Sequence, residues 1–337
     1  MSTAKETHAE RTAHEPRDPS LYFLNIASIT LITPSIRLFR LALPPSNTLS
    51  FLPGQWIDLY VPPSDHILFN KPGGFTITSS PSHAAVASTP EDYILQSGAN
   101  DNEPMKPYKY IELAIQHAPD NPVAVYLFRP VSQLLNTEVT VRVGGSFVFP
   151  PAGDIPFKIV VFVASGMGIN PLISMMSWLG EQGKDSRWRG LEVRVLYGAR
   201  VSRDAWSQEA VGAEMALRPA NSLLDPCKIP FLPRIAKLFS SGKLQGQVTL
   251  FLTGLNSASN PTGDVIPCEN LEIAYLRRRM TLTDVQAAIG EKKGQDNSVV
   301  YVCGVPVMTD EFVGRLAAPE PEGFGMDKRR VLFEKWW

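Results

Sequence analysis

The hydrophobic pattern of this 337-residue chain changes character near its middle. From residue 21 to about residue 150, apolar and polar residues alternate, as around Ile57 and Leu59 in GQWIDLYVP, and pairs of proline and glycine separate the alternating runs. Alternation places one side of a strand on a core, and repeated short strands between turn residues are typical of a closed antiparallel barrel. We therefore predict an antiparallel β-barrel over residues 21–152.

Two further alternating segments, KYIELAIQ and EVTVRVGG, are predicted to be strands of the same barrel. Residues 83–108 are rich in Ser, Ala, Pro and Asn and are predicted to form a long loop between two strands. Residues 1–20 are polar and show no hydrophobic period. Such a segment has little apolar surface to bury, so we expect a disordered tail there.

The second half opens with FKIVVFVASG, a nearly continuous apolar run that is typical of a parallel strand buried on both faces. Strands and helices then alternate, which predicts a doubly wound parallel sheet over residues 153–337. Strands are expected at residues 191–197, 247–253 and 298–303, and helices at residues 204–217, 281–289 and 308–316. Thr281 or Thr283 is expected to cap the second of these helices. Residues 221–241, with room for a short helix, and residues 254–269 are expected to be loops.

The composition excludes several classes of protein. Lys and Arg number 32 against 33 Asp and Glu, a net charge of -1, so nothing favours binding to nucleic acid or to an anionic membrane through bulk charge. No apolar run approaches the roughly 18 residues that a spanning helix needs. The three cysteines show no C-x-x-C spacing, which disfavours a zinc site, an iron–sulfur cluster and a disulfide framework. We expect a soluble protein of the cytoplasm or the mitochondrion rather than a secreted one.

The motif SGMGINP ends the first strand of the second half and begins a helix. Its glycines, Gly166 and Gly168, permit positive φ angles and a close approach of the backbone to a ligand. The free N–H groups at the start of the helix favour a diphosphate. A full dinucleotide fingerprint has a third glycine where this chain has Pro171, so the motif is also compatible with a simple tight connection.

Two other predicted strands should end beside this turn, at the carboxyl edge where open α/β sheets bind their ligands. YVCGVP places Cys303 and Gly304 at this edge, and LYGAR places Arg200 there. The alternative for Cys303 is a buried, inert thiol, and the alternative for Arg200 is a solvated loop charge. The chain ends with Trp336 and Trp337, which are costly to expose and which either plug the core or stack on a flat cofactor.

In the first half, PGGFTITSSP combines an alternating strand with a row of hydroxyl side chains. Phe75 and Ile77 share one face of this strand. Thr76, Thr78 and Ser80 share the other face. Such a row is either ordinary strand surface or a set of ligand contacts, and the local sequence leaves both interpretations open.

Taken in order, these pieces resemble the ferredoxin–NADP reductase superfamily, and most closely its branch of oxidoreductase NAD-binding-domain-containing proteins. The resemblance covers residues 21–337 and is carried by FLPGQWID, GGFTITSSP, VRVGGSF, ASGMGINPLIS, LYGAR, YVCGVPVMTD and FEKWW. It implies a flavin-binding barrel followed by a pyridine-nucleotide domain, and hence FAD together with NAD or NADP as cofactors.

The resemblance also implies roles for individual residues. Phe75 would lie against the isoalloxazine ring, Thr76 near its reactive nitrogen, and Cys303 beside the nicotinamide. The remaining residues of the implied cofactor sites are Ile77, Thr78 and Ser79 for the flavin, Trp337 as its cover, and Gly166, Met167, Gly168, Ile169, Asn170, Pro171, Arg200 and Gly304 for the nucleotide.

Two positions depart from the family pattern. The family arginine that pairs with a flavin phosphate falls on Gly73 or Gly74 here, and Val305 stands where relatives commonly have proline. Loss of such a charged hydrogen bond lowers affinity roughly ten- to a hundredfold. The flavin is then held through backbone groups or through Arg129 or Arg142, or it is labile, or it is absent.

The leading hypothesis is therefore a flavin-dependent NAD(P)H oxidoreductase, in which a hydride passes from nicotinamide to FAD. Electrons would then go to an external acceptor, which is unidentified and could be a protein. Thr76 and Cys303 are the candidate catalytic residues. Arg200 and Arg203 are candidates for contacting a 2′-phosphate, which leaves NADH and NADPH both open. The alternative is a flavin-free nucleotide-binding or regulatory protein that retains the reductase fold.

Overall fold

A computed structural model describes residues 7–63, 71–85, 108–183, 186–201, 224–254 and 264–336. The chain forms two compact units, Met1–Phe149 and Pro150–Trp337. The hydrophobic pattern places the boundary slightly later, between residues 152 and 153, within the proline-containing stretch that follows the last barrel strand.

Six antiparallel strands form the described sheet of the first unit. They are β1 (Tyr22–Thr33), β2 (Ile36–Ala42), β3 (Trp56–Tyr60), β4 (Gly73–Thr76), β5 (Tyr110–Gln116) and β6 (Glu138–Gly144), in the order β4-β3-β6-β1-β2-β5. Just beyond β4, Ile77 pairs with Leu113 of β5. The amide of Thr78 donates to the carbonyl of Glu112 at 2.8 Å. These contacts join the two edges of the sheet and confirm the predicted antiparallel barrel.

The barrel core is built from the inward-facing half of the strands and from buried residues of three short helices, Ser82–Ala85, Pro122–Leu127 and Val131–Leu134. Ile57 of β3 is fully buried opposite Phe75 of β4. Val123 and Leu127 of the second of these helices pack into the same core. Asn121 is the N-cap of this helix, since its side chain accepts a hydrogen bond from the amide of Val123 at 3.1 Å.

The described helices of the first unit are all short, as the period-two pattern predicts. They are α1 (His8–Arg11), α2 (Ser82–Ala85), α3 (Pro122–Leu127) and α4 (Val131–Leu134). Helix α2 lies at the start of the predicted loop over residues 83–108. Residues 86–107 of that loop lie outside the described residues.

The predicted disordered tail is corrected for residues 7–20. After α1, Arg17 pairs with Gly144 of β6, and the amide of Asp18 donates to the carbonyl of Val143 at 2.9 Å. Polar contacts order this segment, and polar contacts leave no hydrophobic period in a sequence. Residues 1–6 are not among those described.

The second unit contains a mostly parallel sheet of seven described strands. They are β7 (Ile159–Ser165), β8 (Glu192–Arg200), β9 (Gln245–Thr253), β10 (Asp264–Cys268), β11 (Leu271–Leu276), β12 (Ser298–Gly304) and β13 (Val331–Lys335), in the order β10-β11-β9-β8-β7-β12-β13. The pair β10–β11 is antiparallel, and the other described pairs are parallel. This arrangement confirms the predicted α/β second half.

Helices alternate with these strands along the chain. They are α5 (Ile169–Glu181), α6 (Leu232–Ser240), α7 (Leu282–Ile289), α8 (Lys292–Asn297) and α9 (Pro306–Ala317). A capping box between Thr281 and Asp284 begins α7, so Thr281 is the cap of the two that the sequence allows. In the part of the chain that the structure describes, no helix is long and apolar enough to cross a membrane.

Two predicted loops in the second unit contain regular structure. Residues 221–241 include the nine-residue helix α6, and residues 254–269 include β10. The first finding agrees with the short helix that the sequence allowed there, whereas the strand in the second segment was not predicted. Pro233 lies in the first turn of α6 and Pro267 lies in the edge strand β10, two positions where proline removes no needed hydrogen bond. The helix predicted over residues 204–217 lies outside the described residues.

Candidate functional site

The predicted glycine turn lies between β7 and α5. A 3₁₀ turn, Gly166–Gly168, joins them, and Gly166 has a φ of 55°, in the left-handed region that favours glycine. Among the described residues, a Cβ atom at Gly166 would meet nothing within 4 Å, whereas one at Gly168 would collide with the carbonyl of Cys303. Gly166 therefore leaves an open surface at the start of the helix, and Gly168 allows the turn to pack on β12.

Most of the predicted nucleotide segment faces the protein interior. Ile169, Asn170 and Pro171 are buried in the first turn of α5. Met167 is half-buried, and Gly166 is exposed. A ligand at this turn would therefore meet the backbone of the turn rather than the side chains that follow it.

Three neighbouring strands end at the edge where this turn lies. Ser165 of β7 pairs with Gly198 of β8, and Ala164 of β7 pairs with Cys303 of β12. Arg200, at the end of β8, is exposed. The structure thus brings the turn, Cys303 and the end of β8 together at the carboxyl edge, which is where sheets of this kind bind ligands.

Cys303 is fully buried at this edge. Burial raises the pKa of its thiol well above the ordinary value, the charge of Glu334 raises it further, and a hydrogen bond from Trp336 acts in the opposite direction. The thiol is therefore protonated at neutral pH and is a poor nucleophile. Cys303 is therefore a buried, unreactive thiol, which is the alternative that the sequence left open for it.

The last described strand joins the end of the chain to the same edge. β13 pairs with β12 so that Glu334 lies beside Cys303. The amide of Trp336 donates to the carbonyl of Gly304 at 2.9 Å, and the Trp336 side chain is half-buried. Trp336 thus packs at the strand end as a partial plug. Trp337 lies outside the described residues.

The β4 segment turns its predicted site residues to two different sides. Phe75 and Ile77 face the barrel core, where Phe75 is 7% exposed and packs on protein side chains. Thr76 pairs with Trp56 of β3 and faces outward. It is 1% exposed, and its hydroxyl has no hydrogen-bond partner among the described residues. Thr76 therefore retains hydrogen-bonding capacity for a ligand.

Thr78 and Ser79 contribute to closing the barrel. The Thr78 hydroxyl donates to the Glu112 carboxylate at 3.0 Å, and the amide of Glu112 donates to the Ser79 hydroxyl at 3.1 Å. Glu112 also lies 3.5 Å from the guanidinium of Arg40, and all four residues are buried. Thr78 and Ser79 therefore have a structural role in the barrel, which the local sequence does not indicate.

Residues 7–18, which we name the N-terminal strap, are anchored on Asp58 of β3. The Asp58 carboxylate accepts hydrogen bonds from Arg17 of the strap at 2.9 Å and from Arg142 of β6 at 3.0 and 2.7 Å. Its other oxygen lies 3.1 Å from Nε2 of His8. Burial by itself would raise the pKa of Asp58, but its polar interactions with His8, Arg142 and Arg17 outweigh burial and lower the pKa to about 2.

The strap also covers Trp56 and Gly74 on the outer face of the barrel. His8 meets the Trp56 ring edge-on with the centroids 4.8 Å apart, and the Arg17 guanidinium lies 4.9 Å from the same ring. A Cβ atom at Gly74 would collide with the His8 imidazole. His8 therefore fills the space that a side chain at residue 74 would need.

The described barrel residues offer a poor fit to a flavin phosphate at the position of the family arginine. At Gly73 a Cβ atom would lie 2.7 Å from the Phe75 ring, so a longer side chain has no room there. Of the two arginines that could replace the family arginine, Arg142 bonds the strap anchor and Arg129 stacks on a tyrosine ring at 4.4 Å. The barrel thus offers the Thr76 hydroxyl to a flavin, whereas both arginines already have protein partners.

Comparison with known proteins agrees with the motifs. No family model matches the chain. The chain is 26% identical over 342 residues to oxidoreductase NAD-binding domain-containing protein 1 from Bos taurus, an alignment that covers 100% of this chain and 87% of the relative. It is 25% identical to the protein of the same name from Danio rerio, with 100% of both chains covered.

Solved structures give the fold. The ferredoxin reductase in carbazole 1,9a-dioxygenase has a TM-score of 0.55 at 15% identity, covering 94% of this chain and 70% of that one. A ferredoxin NADP+ reductase from Neisseria gonorrhoeae, with bound FAD and NADP, has a TM-score of 0.54 at 13% identity, covering 94% and 99%. The fold is that of the ferredoxin–NADP reductases. The resemblance and the fold class predicted from the motifs are confirmed.

Proposed function

We propose that this chain is an NAD(P)H oxidoreductase that binds its nucleotide at the carboxyl edge of the parallel sheet. It would use FAD as its redox cofactor and pass electrons to an external acceptor. The observation that carries the proposal is the open turn at Gly166. The name of the relatives and the FAD and NADP bound by the Neisseria gonorrhoeae reductase support it.

The turn has the properties that a dinucleotide diphosphate requires. It begins α5, a helix of 13 residues, whose N-terminus carries partial positive charge that favours an anion. Gly166 keeps side chains away from this position. The protonated thiol of Cys303 adds no negative charge beside it. Arg200 is exposed at the neighbouring strand end, where its guanidinium could pair with a nucleotide phosphate.

The barrel unit would contribute the flavin contact. FAD, when bound, supplies hydride and single-electron chemistry that protein side chains do not provide. Thr76 would hold the flavin by a hydrogen bond from its buried hydroxyl, which has no partner within the described part of the chain. Because glycine, Gly73 or Gly74, stands where the family has its arginine, we expect FAD to be held weakly and to exchange with solution.

The second candidate is a nucleotide-binding or regulatory protein without flavin. The specific observation in its favour is the outer face of β3 and β4, where the His8 imidazole fills the space beside Gly74. The two candidates share the nucleotide site and differ in the barrel, so flavin uptake separates them.

A glycine substitution tests the nucleotide site. Gly190 also has a positive φ, 76°, and open space where its Cβ would be, so Gly190→Ala carries the same kind of backbone strain as Gly166→Ala. We expect Gly166→Ala to lower the affinity for NADH or NADPH by about tenfold or more, measured by calorimetric titration, because the new methyl group enters the ligand space. Gly190→Ala should bind the nucleotide normally. Equal loss in the two variants would contradict the site.

Flavin uptake tests the barrel half of the proposal. Chain purified with excess FAD should show flavin absorbance that disappears when NADH is added without oxygen, and Thr76→Val should take up less FAD. Chain that binds NADH but takes up no FAD at any concentration would favour the flavin-free alternative.

A further inference from the structure

The N-terminal strap is a surface segment with no buried residue of its own. Every one of residues 7–20 is exposed or half-buried. Two backbone hydrogen bonds join it to β6 and the residue after it, from the amide of Asp18 to the carbonyl of Val143 at 2.9 Å and from the amide of Gly145 to the carbonyl of Pro16 at 3.0 Å. Segments that bury little apolar surface open locally at a smaller free energy than the core.

Detachment of the strap would leave no unpaired charge on the barrel. Asp58 and Arg142 lie directly opposite each other on β3 and β6, and the guanidinium donates twice to the carboxylate, at 3.0 and 2.7 Å. Arg17 and His8 are additional partners that the strap brings. A buried carboxylate that keeps one well-formed ion pair escapes most of the penalty of an isolated charge. Asp58 can therefore hold the strap or release it.

The strap occupies an aromatic surface that a flat ligand could use. Its His8 ring and Arg17 guanidinium both lie on Trp56. In the register of β3 and β4, Trp56 pairs with Thr76, so the indole and the unpartnered Thr76 hydroxyl are neighbours on one face of the sheet. A planar ring that stacks on Trp56 near Thr76 has to replace these strap side chains.

We propose that the N-terminal strap is a detachable, autoinhibitory cover. It covers the outer face of β3 and β4 and is held there by its contacts with Asp58. A flavin ring can bind to this face only after the strap detaches. The proposal deepens the function argued above, since the flavin is the ligand assigned there. In the closed state the Arg17 guanidinium lies over the Trp56 indole, in the place where the flavin ring would otherwise stack.

Amide hydrogen exchange of the full-length protein tests detachment without any ligand. The amides of Asp18 and Gly145 report on the strap, and the amide of Ile26, which donates to the carbonyl of Thr137 at 3.0 Å, reports on the core. We expect the strap amides to exchange at least about tenfold faster than Ile26, the ratio that a free-energy difference of about 1.4 kcal/mol produces. Exchange of all three at one common rate would overturn the proposal, because the strap would then open only with the whole unit.

Strap-release variants supply the second arm. His8→Ala combined with Arg17→Ala removes two Asp58 partners and should accelerate exchange at Asp18 and Gly145 about tenfold further, with Ile26 unchanged. His14→Ala is the matched control, since that strap side chain is 79% exposed and contacts only its neighbour Glu15 among the described residues.

Flavin titration distinguishes the cover from the proposed function. FAD should bind the release variant about tenfold more tightly than the natural chain, and adding FAD should accelerate exchange of the strap amides. If FAD binds but slows their exchange, the strap is part of the flavin site and the cover is refuted while the function stands. If neither the natural chain nor the release variant binds FAD, the proposed flavin-dependent function is refuted. The autoinhibitory role is then refuted as well, because it depends on flavin binding.

Discussion

Glycines mark both candidate sites of this chain, Gly73 and Gly74 in the barrel and Gly166 and Gly168 in the α/β unit, yet their surroundings differ. In the barrel the space beside both glycines is filled, by Phe75 at one and by a strap side chain at the other. In the α/β unit one glycine packs against a backbone carbonyl and the other faces open space.

The difference shows that a glycine motif can serve packing or ligand access. Gly74 and Gly168 are small because another part of the chain passes close to them. Gly166 has no atom of the described residues within 4 Å of where a Cβ would be, and its positive φ is a conformation that favours glycine. The open space beside Gly166 at a helix start is what makes this turn a candidate ligand site, since the spacing of the glycines alone does not separate it from the packed glycines.

The largest expected effect is at Gly168. In Gly168→Ala the added methyl group would meet the carbonyl of Cys303 and lie 2.8 Å from the amide nitrogen of Gly304. Backbone atoms of a central strand cannot move aside easily, so we expect a loss of about 3 kcal/mol in the free energy of unfolding, measured by chemical denaturation. Gly314→Ala, inside α9 with open space around it, is the control and should be neutral or slightly stabilising. A neutral Gly168→Ala would mean that packing does not explain that glycine.

The next effect is a pH dependence that comes from the strap anchor. Burial would raise the pKa of Asp58, but its hydrogen bonds lower the pKa from 3.8 to about 2. A folded-state pKa below the unfolded value gives stability that is complete above about pH 4 and is lost as the pH falls towards about 2. The natural chain should therefore lose roughly 2 kcal/mol more than Asp58→Asn over this range. Parallel pH profiles of unfolding for the two chains would contradict the charge assigned to Asp58.

The fold could be predicted because local hydrophobic patterns indicate which residues of each strand are buried. Alternation around Ile57 gives a strand with one face on a core, and the unbroken apolar run that becomes β7 gives a strand buried on both faces. The turn at Gly166 is equally local, since strand, glycine and helix follow one another. The hairpin β10–β11 was not predicted because β10 contains a proline. Proline is tolerated in an edge strand, but the local sequence does not show which strand lies at the edge of the sheet.

The strap and its anchor could not be predicted because their parts are distant in the sequence and polar. Taken singly, His8 and Arg17 are typical of solvent-exposed polar residues in a tail. Arg142 is typical of the solvent-facing side of a strand. One signal was available: Trp56 and Asp58 share the face of β3 opposite the core, and a tryptophan there indicates a face that something covers. What covers it depends on long-range pairing with Asp58, which periodicity does not report.

A smaller effect tests whether residue 74 has to be glycine so that the His8 side chain of the strap can pack against it. Gly74→Ala would displace the His8 ring and should lower the free energy of unfolding by about 1–2 kcal/mol. In a His8→Ala background the same substitution should have almost no further effect, because the colliding ring is gone. A double-mutant cycle by urea denaturation measures this coupling. Additive losses would show that Gly74 is constrained by something other than His8.

The smallest effect concerns two threonines that look alike in the sequence. Thr78→Val removes the hydrogen bond to Glu112 and should destabilise the barrel by about 1 kcal/mol or more. Thr76→Val removes a buried hydroxyl without a described partner and should be neutral or stabilising by up to about 1 kcal/mol, as thermal or chemical denaturation would show.

A buried hydroxyl that has no hydrogen-bond partner among the described residues is available to a ligand, so Thr76→Val should bind FAD less well while it folds at least as stably. Opposite signs for stability and affinity would separate Thr76, as a binding group, from Thr78, as a structural one. A destabilised Thr76→Val would mean that the hydroxyl already has a partner in the folded chain, and would remove it from the candidate site.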